Sequence, residues 1–235
     1  MFEVWGDYAC FRRFYTTRSP LSYPFPPRPT LAGLVGAIAG IPKGEVSRSL
    51  SADRARLAVA LMAPVKTLRL GINWVETKDP AIFSIGAVGE RTQINAEFLK
   101  DPRFRVYVQV RDEALQRQLL TLLHEHRSVF TPCLGISELL ADFAWVGELP
   151  ASPAEPGLRD IASVLPLSKV RWPEAGQGIE FEVGKSYNRQ RVPRLQDEAR
   201  AVAEWQDVVV ESSGQTIRAE TDGCWRVGDD YVVWL

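Results

Sequence analysis

Cysteine and histidine are scarce in this chain, which holds three cysteines and two histidines among 235 residues. Cys10, Cys133 and Cys224 are far apart and odd in number, so the sequence predicts reduced thiols rather than disulfides or a thiolate metal site. His124 and His126 lie two residues apart on a predicted helix, where they project from different faces and cannot share a metal ion. We therefore expect no metal, no cofactor and a cytoplasmic location.

Long hydrophobic runs are also lacking, because no apolar stretch approaches the roughly 20 residues that a transmembrane helix requires. Residues 1–7 do not follow the basic-then-apolar plan of a signal peptide. The glycine-rich and histidine-rich motifs of phosphate loops, dinucleotide sites and zinc proteases are absent as well. The sequence thus predicts no contact with a membrane and offers no independent case for catalysis.

Net charge is small, at −1, but it is unevenly distributed along the chain. Residues 1–110 hold 15 Lys and Arg against 9 Asp and Glu, whereas residues 111–235 hold 13 against 20. A locally basic surface can bind phosphate groups even when the overall charge is close to zero. An anionic partner is therefore expected to contact the first half of the chain.

The segment 10–42 contains no Asp or Glu and carries the clearest functional pattern. Guanidinium groups bind phosphate oxygens in pairs, and aromatic rings stack on unpaired bases, so a basic and aromatic loop favours single-stranded RNA binding. The same pattern also fits buried aromatic residues beside solvated arginines. The basic residues are Arg12, Arg13, Arg18 and Arg28, and the aromatic residues are Phe11, Phe14, Tyr15, Tyr23 and Phe25.

Two helices are predicted from their termini. The first is expected to begin at a capping Thr30 and to end at Gly40, with Gly33 and Gly36 allowing close approach to a sheet or to an RNA backbone. The second is expected to begin at Asp112 and to run to about residue 127, with His126 in its apolar stripe.

Four strands are predicted around these helices. Residues 2–8 and 104–110 alternate, and the second of these strands has a basic face that includes Arg105. The apolar run 56–63 is typical of a central strand, and 142–148 reads as the last strand. The order βαββαβ indicates an α+β fold with a ferredoxin-like (RRM/RAMP) domain over residues 1–148.

Two segments fall outside that domain core. Residues 66–103 form an insertion too long for a simple turn, which is typical of a functional loop. Residues 149–163 are rich in Pro, Ala and Gly and are expected to be a linker. Beyond them, residues 164–235 show short β-like runs and are expected to form a small β-rich region.

The chain resembles the CRISPR-associated RAMP proteins of family five. The matching motifs are Phe11-Arg12-Arg13, then Ser22-Tyr23-Pro24 and Pro26–Leu31, then Gly33–Ile38. Residues 95–108 look like the family's thumb hairpin, and residues 134–141 look like the segment before its fourth strand. The resemblance covers roughly residues 1–148, and its first block is the most specific.

The resemblance implies a subunit of a type I Cascade complex that caps the 5′ handle of the guide RNA (crRNA). The insertion would be a thumb that crosses the duplex between guide and target DNA, and the neighbours would be the large subunit and a backbone subunit. Together, the motifs and the resemblance predict RNA contacts by Arg12, Arg13, Tyr15, Arg18, Tyr23, Arg28, Gly33, Gly36, Arg91, Gln93, Asn95, Lys100 and Arg105.

One branch of that family cleaves its own precursor RNA with a Tyr and a Lys-His pair. This chain contains no Lys-His dipeptide, so we expect no enzymatic activity. Two alternatives stay open. One is a metal-independent endoribonuclease that uses Tyr23, Lys66 and possibly His124, and the other is a ferredoxin-like interaction module that binds no RNA.

Overall fold

The computed structural model describes residues 1–16, 19–75, 91–172 and 178–235, and it confirms the predicted mixed α+β class. Among the first 145 residues the elements are β1 (Phe2–Trp5), β2 (Tyr8–Ala9), β3 (Phe11–Arg12), β4 (Ser22–Tyr23), α1 (Arg28–Ala39), α2 (Val46–Ser49), β5 (Ala55–Leu61), β6 (Thr67–Val75), β7 (Arg91–Lys100), β8 (Arg103–Val110), α3 (Glu113–His124) and β9 (Asp142–Trp145).

The remaining elements form the C-terminal part of the protein. They are β10 (Ala151–Pro153), β11 (Leu158–Ile161), β12 (Leu165–Pro166), a 3₁₀ turn (Leu167–Lys169), β13 (Ile179–Glu180), β14 (Tyr187–Gln196), β15 (Val202–Glu211), β16 (Ile217–Glu220), β17 (Cys224–Val227) and β18 (Asp230–Val233). In the part of the chain that the structure describes, no helix is long and apolar enough to cross a membrane.

A four-stranded antiparallel sheet forms the centre of the first part, in the order β5-β8-β1-β9. Phe2 and Val4 alternate with Glu3 along β1, so one face of the sheet is apolar and packs against α1 and α3. The opposite face contributes Ala58, Ala60 and Tyr107 to a second cluster with Val227 and Val232. Both faces of this sheet are therefore covered, the second one by the C-terminal strands.

The predicted central strand 56–63 lies instead at the edge of this sheet, as β5. Its apolar composition has a different cause, because the C-terminal chain covers that edge. The carbonyl oxygens of Leu57 and Val59 accept hydrogen bonds from the backbone nitrogens of Leu235 (2.9 Å) and Val164 (2.8 Å). The edge is thus protected from pairing with another chain.

The start of α1 differs from the prediction, and its end agrees with it. The helix begins at Arg28 rather than at Thr30, with Pro27 as a cap that makes no side-chain hydrogen bond. A proline in the first helical turn has a suitable fixed φ and loses no helical hydrogen bond, which explains the earlier start. At the other end, Gly40 has φ +78° and closes the helix as predicted.

Asp112 caps α3 as predicted, because its carboxylate accepts hydrogen bonds from the backbone nitrogens of Ala114 (2.9 Å) and Leu115 (3.0 Å). The helix ends at His124, so the placement of His126 in the apolar stripe is wrong. His126 has φ +53° and lies outside the helix, where its Nε2 is 3.0 Å from the Asp142 carboxylate.

The predicted insertion 66–103 contains a long hairpin. Strands β6 and β7 pair in register from Thr67 opposite Leu99 to Val75 opposite Arg91, and β2 adds a third strand beside β7. The stretch 149–163, predicted as a linker, instead contributes β10 and β11 to a six-stranded sheet. Its prolines are tolerated because β10 is an edge strand, whereas β11 is internal and buries Ile161 completely.

Residues 164–235 are not separate from the first core. Val192, Val208, Val210 and Leu235 belong to the same buried cluster as Phe2 and the residues of α1. The hairpin formed by β14 and β15 packs against α1. This contact brings side chains of the C-terminal part close to the basic loop near the start of the chain.

Candidate nucleic-acid interface

The loop that joins β3 to β4 presents basic and aromatic side chains on the surface. Phe11 pairs with Tyr23 and both rings are buried, whereas Arg12 on the opposite face of β3 is exposed. Its guanidinium donates only to the Thr16 carbonyl oxygen, from Nε (3.1 Å) and Nη2 (2.9 Å), among the described residues. These bonds set the direction of the side chain and leave the rest of the fork accessible.

Arg13 organises the same loop. Its Nε donates to the Ser22 carbonyl oxygen (3.1 Å), its Nη1 donates to the Tyr15 hydroxyl (2.9 Å), and its guanidinium lies 5.4 Å from the centre of the Tyr23 ring. Tyr15 is 56% exposed and is held beside the two arginines. The structure thus brings Arg12, Arg13 and Tyr15 together, while Arg18 lies outside the described residues.

Tyr23 and Arg28 are not surface residues, so their prediction as direct RNA contacts needs correction. Tyr23 is 2% exposed, and burial raises the pKa of its hydroxyl to about 12. Arg28 is 3% exposed and its Nη2 donates to the carbonyl oxygens of Leu50 (3.1 Å) and Ala55 (2.9 Å). Burial lowers the pKa of Arg28 to about 10. Both residues support the fold beneath the loop.

The two helical glycines have different surroundings. A Cβ on Gly36 would lie 3.0 Å from Cγ2 of Val46, so this glycine allows α1 to pack against α2 and does not approach RNA. Gly33 is exposed, and a Cβ there would meet no atom within 4 Å among the described residues. Its role in RNA binding stays a prediction.

Gly33→Ala is expected to stabilise the protein by about 0.5–1 kcal/mol, because alanine favours a helix over glycine and the site has room for the methyl group. Thermal unfolding checks this value. Gly36→Ala is the matched control, and it should lower the melting temperature because Val46 has to move. An equal gain for both variants would contradict this description of α1.

One face of the β6–β7 hairpin is polar. The register places Gln93 opposite Asn73 and Asn95 opposite Gly71, and alternation puts Arg69 and Arg91 on the same face. A Cβ on Gly71 would lie 3.6 Å from the Gln93 amide nitrogen and 3.7 Å from the Asn95 amide oxygen, so both amides lie over this glycine. Arg91, Gln93 and Asn95 are therefore grouped and exposed, and their contact with RNA stays a prediction.

Lys100 is exposed but does not join that group. It is opposite Tyr8 at the base of the hairpin, and its position in the alternation puts it on the other face. That face is apolar, and its residues Ala96 and Phe98 are buried against Cys10. Farther out along the same face, Leu70 and Trp74 are 39% and 43% exposed.

Glu97 connects the β3–β4 loop to the polar face of the hairpin. Its carboxylate accepts from the Ser22 backbone nitrogen (3.3 Å), its own backbone nitrogen donates to the Pro20 carbonyl oxygen (2.8 Å), and Arg69 lies 3.6 Å from its Oε2. We call the resulting surface the loop–hairpin surface. It comprises Arg12, Arg13, Tyr15, Arg69, Arg91, Gln93 and Asn95.

Arg105 faces away from that surface, which corrects its prediction as an RNA contact. Its Nη2 lies 2.8 Å from Glu3 Oε1, and its Nη1 lies 3.4 Å from Asp230 Oδ2. Asp230 also accepts a hydrogen bond of 2.7 Å from the Tyr107 hydroxyl. The basic face of β8 is thus covered by the C-terminal strands, and Arg105 holds the two parts of the protein together.

Glu3 is the buried carboxylate of this network. Burial by itself would raise its pKa, but hydrogen bonds from Arg105 and Arg103 outweigh that effect and lower the pKa below its usual value. Because the folded protein binds a proton at Glu3 less readily than the unfolded chain, this group stabilises the fold above pH 4.5. The contribution disappears as pH falls through the lowered pKa.

Glu3→Gln should therefore lower the free energy of unfolding at pH 7 by about 2 kcal/mol, a value reduced from that of a fully buried pair because Arg103 is half exposed. As the pH is lowered, the melting temperature of the variant should also fall less than that of the parent protein. Glu45→Gln, which alters an exposed pair with Arg48, should leave both quantities unchanged. If the melting temperatures of Glu3→Gln and the parent protein change with pH by the same amount between pH 3 and 7, the assignment is contradicted.

One contact of the basic loop was not visible in the sequence. The ring of Phe14 lies 4.2 Å from that of Trp205 on β15, centre to centre. The two residues are far apart in the chain, and no local pattern points from one to the other. Within the described residues, no group of three or more His, Cys, Asp and Glu side chains could hold a metal ion.

One family model matches most of this chain. The model of the family described as "CRISPR-associated protein (Cas_Cas5)" matches residues 1–210. No curated protein matches this chain.

Several solved structures share the fold at low sequence identity. A CRISPR protein from Archaeoglobus fulgidus matches with TM-score 0.54 and 16% identity, over 100% of this chain and 99% of its own. A chain of a "CRISPR RNA-guided surveillance complex" matches with TM-score 0.51 and 16% identity, over 93% and 90%. A chain of a type III-B Cmr-beta complex bound to cognate target RNA and AMPPnP matches with TM-score 0.52 and 10% identity, over 92% and 85%.

Proposed function

Because the chain belongs to the CRISPR-associated Cas5 family, we propose that it is a crRNA-binding subunit of a type I Cascade complex that caps the 5′ handle of the guide in antiviral defence. The loop–hairpin surface is the observation that carries this proposal. At the loop it combines guanidinium groups, which grip phosphates, with an exposed tyrosine, which can contact bases, and at the hairpin it adds two amides that can contact the target strand. The described cysteines are free thiols, which fits a cytoplasmic complex.

The strand order supports a ferredoxin-like RAMP domain beneath this surface. The order βαββαβ is formed by β1, α1, β5, β8, α3 and β9. In the sheet, whose order is β5-β8-β1-β9, the first and third of these strands, β1 and β8, are neighbours. The β6–β7 hairpin leaves this domain between its second and third strands. We assign that hairpin as the thumb that meets the duplex between guide and target DNA.

The expected affinity follows from the number of contacts. Charge-assisted hydrogen bonds contribute roughly 1.5–3 kcal/mol each, and stacking on one aromatic ring contributes about 1–3 kcal/mol per base. Three exposed arginines, the half-buried Arg13 and one or two rings are therefore enough for nanomolar binding once the cost of ordering the RNA is subtracted. About four phosphate contacts on a single strand also predict a slope near −3 for log K against log salt concentration.

Binding of a fluorescent single-stranded RNA that carries the repeat-derived 5′ handle tests this proposal. Anisotropy titrations at several salt concentrations should give tight binding with that steep slope, and a blunt RNA duplex of the same length should bind more weakly. Binding that does not depend on salt, or that favours the duplex, would contradict single-strand capping by arginines.

We also propose that the subunit does not cleave RNA. A buried tyrosine with a raised pKa is a poor general base at neutral pH, which argues against Tyr23 in that role. Incubation of the purified protein with repeat RNA in a chelator should leave the RNA intact. A product of fixed length would instead support the endoribonuclease alternative.

The thumb assignment predicts a separation of two activities. Replacement of Gln93 and Asn95 by alanine should weaken binding of target DNA to the assembled complex about tenfold, while the amount of guide RNA in that complex stays the same. Arg48→Ala, an exposed substitution on α2, is the control. An equal loss of guide RNA and of target binding would contradict a separate thumb role.

The partners that we propose are the backbone and large subunits of Cascade. The outer apolar face of the hairpin, with Leu70 and Trp74 exposed, is suited to such a protein contact because large apolar side chains gain most from burial in an interface.

A further inference from the structure

A cavity of about 620 Å³ lies beside β15, apart from the loop–hairpin surface. Three of the seven tryptophans of the chain, Trp172, Trp205 and Trp234, line it. Its volume falls within the range of about 300–1,000 Å³ that is typical of small-molecule sites. Tryptophan rings offer the largest flat surfaces for stacking among the side chains.

The cavity forms where a sheet edge is left open. Strand β12 pairs with β15 only at Val208 and Val209. The residues of β15 that precede them, 204–207, have no strand partner on that side in the described part of the chain, and they line the cavity. Their unpaired edge provides backbone donors and acceptors beside the aromatic walls.

Two polar groups of the lining residues lack a partner. The side-chain amide nitrogen of Gln206 and the indole nitrogen of Trp234 are buried and make no hydrogen bond to any described residue. Buried donors without an acceptor cost free energy, so a small rotation of either side chain that brings its donor to an acceptor on a ligand would be favourable.

Four of the five charged residues that line this cavity form ion pairs, and the fifth is Lys169. Arg194 Nη1 lies 2.7 Å from the Glu204 carboxylate, and Arg189 Nη2 lies 3.2 Å from the Asp207 carboxylate. These pairs cancel most of the charge that would attract a phosphate. What is left is aromatic surface beside one lysine, which suits a flat base with hydrogen-bonding edges that is attached to a phosphate, as in a nucleotide.

The cavity is connected to the basic loop through one contact. Trp205, which lines the cavity, packs against Phe14, and Phe14 lies between Arg13 and Tyr15 in the sequence. The cavity is therefore adjacent to the loop that is proposed to hold the RNA. The other ligand that aromatic grooves commonly accept is a proline-rich peptide, but the contact with the basic loop favours RNA.

We infer that this cavity receives one unstacked base of the guide RNA that the loop–hairpin surface holds, with Trp172 as the stacking platform. This inference rests on the proposed function. Trp172 is 55% exposed, so its ring is available to a base, and its removal should not disturb the core.

The test uses the full chain and two fluorescent oligonucleotides of equal length and charge, an oligouridine of about eight nucleotides and its fully abasic counterpart. Trp172→Ala should weaken binding of the oligouridine about tenfold and leave binding of the abasic strand unchanged, because stacking requires a base. Trp172→Phe should restore most of the affinity. Trp74→Ala, which removes a comparably exposed tryptophan from the hairpin, should bind both strands like the parent protein.

The outcomes separate this inference from the function on which it rests. If the parent protein binds neither strand, the proposed function fails and this inference fails with it. If the parent protein binds RNA but Trp172→Ala has the same affinity for oligouridine, only the base site is wrong. Loss of a partner subunit from the complex of Trp172→Ala, with unchanged RNA affinity, would also overturn the base site and assign the cavity to a peptide.

Discussion

Charge reversal at Arg12 and Arg13 is expected to abolish recovery of guide RNA with the protein. Each charge-assisted hydrogen bond to phosphate contributes roughly 1.5–3 kcal/mol, and a carboxylate in the same place repels the phosphate. The loss of two such contacts therefore corresponds to at least about a hundredfold weaker binding. The measurement is the RNA content of the complex purified with Arg12→Glu and Arg13→Glu together.

The matched control reverses two exposed arginines that lie away from this surface, Arg117 on α3 and Arg127 just after it. That double variant changes the net charge equally and should keep its RNA. Because Arg13 also bonds to Ser22 and Tyr15, the melting temperature of the test variant is measured alongside. A folded Arg12→Glu, Arg13→Glu variant with full RNA occupancy would show that this loop does not grip the guide.

Gly135→Ala is expected to have the largest effect on folding. Gly135 has φ +105°, and a Cβ there would lie 1.9 Å from the carbonyl oxygen of Cys10, which no rearrangement of a side chain can relieve. The backbone just before β3 would have to move, and this backbone leads into the basic loop. We expect a loss of at least about 3 kcal/mol in the free energy of unfolding, measured by denaturant titration.

Substitutions at two other glycines distinguish the steric clash at Gly135 from the strain of a positive φ. Gly184 has φ +89° with no atom within 4 Å of the added Cβ among the described residues, so Gly184→Ala should cost only the strain, about 1 kcal/mol. Gly44 has equal space and no positive φ, so Gly44→Ala should be close to neutral. Similar losses for Gly135→Ala and Gly184→Ala would contradict the close approach of Gly135 to Cys10.

The sequence predicted those helix termini that depend only on residues close to them in the chain. Asp112 accepts hydrogen bonds from backbone nitrogens two and three residues ahead, and Gly40 closes α1 through its own backbone conformation, so both helix termini were visible. The start of α1 was misplaced because Thr30 has the residue type of a cap, whereas Arg28 and Pro29 before it are already helical. His126 was misplaced because the helical period was extended beyond the last helical residue.

Tertiary contacts explain the remaining differences. Arg105 alternates with apolar residues like any exposed arginine, and its partners Glu3 and Asp230 are 102 and 125 residues away in the chain. Arg28 and Tyr23 belong to the same basic segment as Arg12, but only packing against distant residues determines which of these side chains are buried. Arg12 and Tyr15 are exposed, and their contact with RNA is part of the proposal.

The most direct test of the proposed function is co-expression of the protein with its neighbouring subunits and a CRISPR array, followed by purification and sequencing of the bound RNA. We predict small RNAs that share one fixed 5′ handle, at one copy per complex. A protein that is recovered without RNA, or with RNAs that have no common 5′ end, would contradict a handle-capping subunit and would favour the interaction-module alternative.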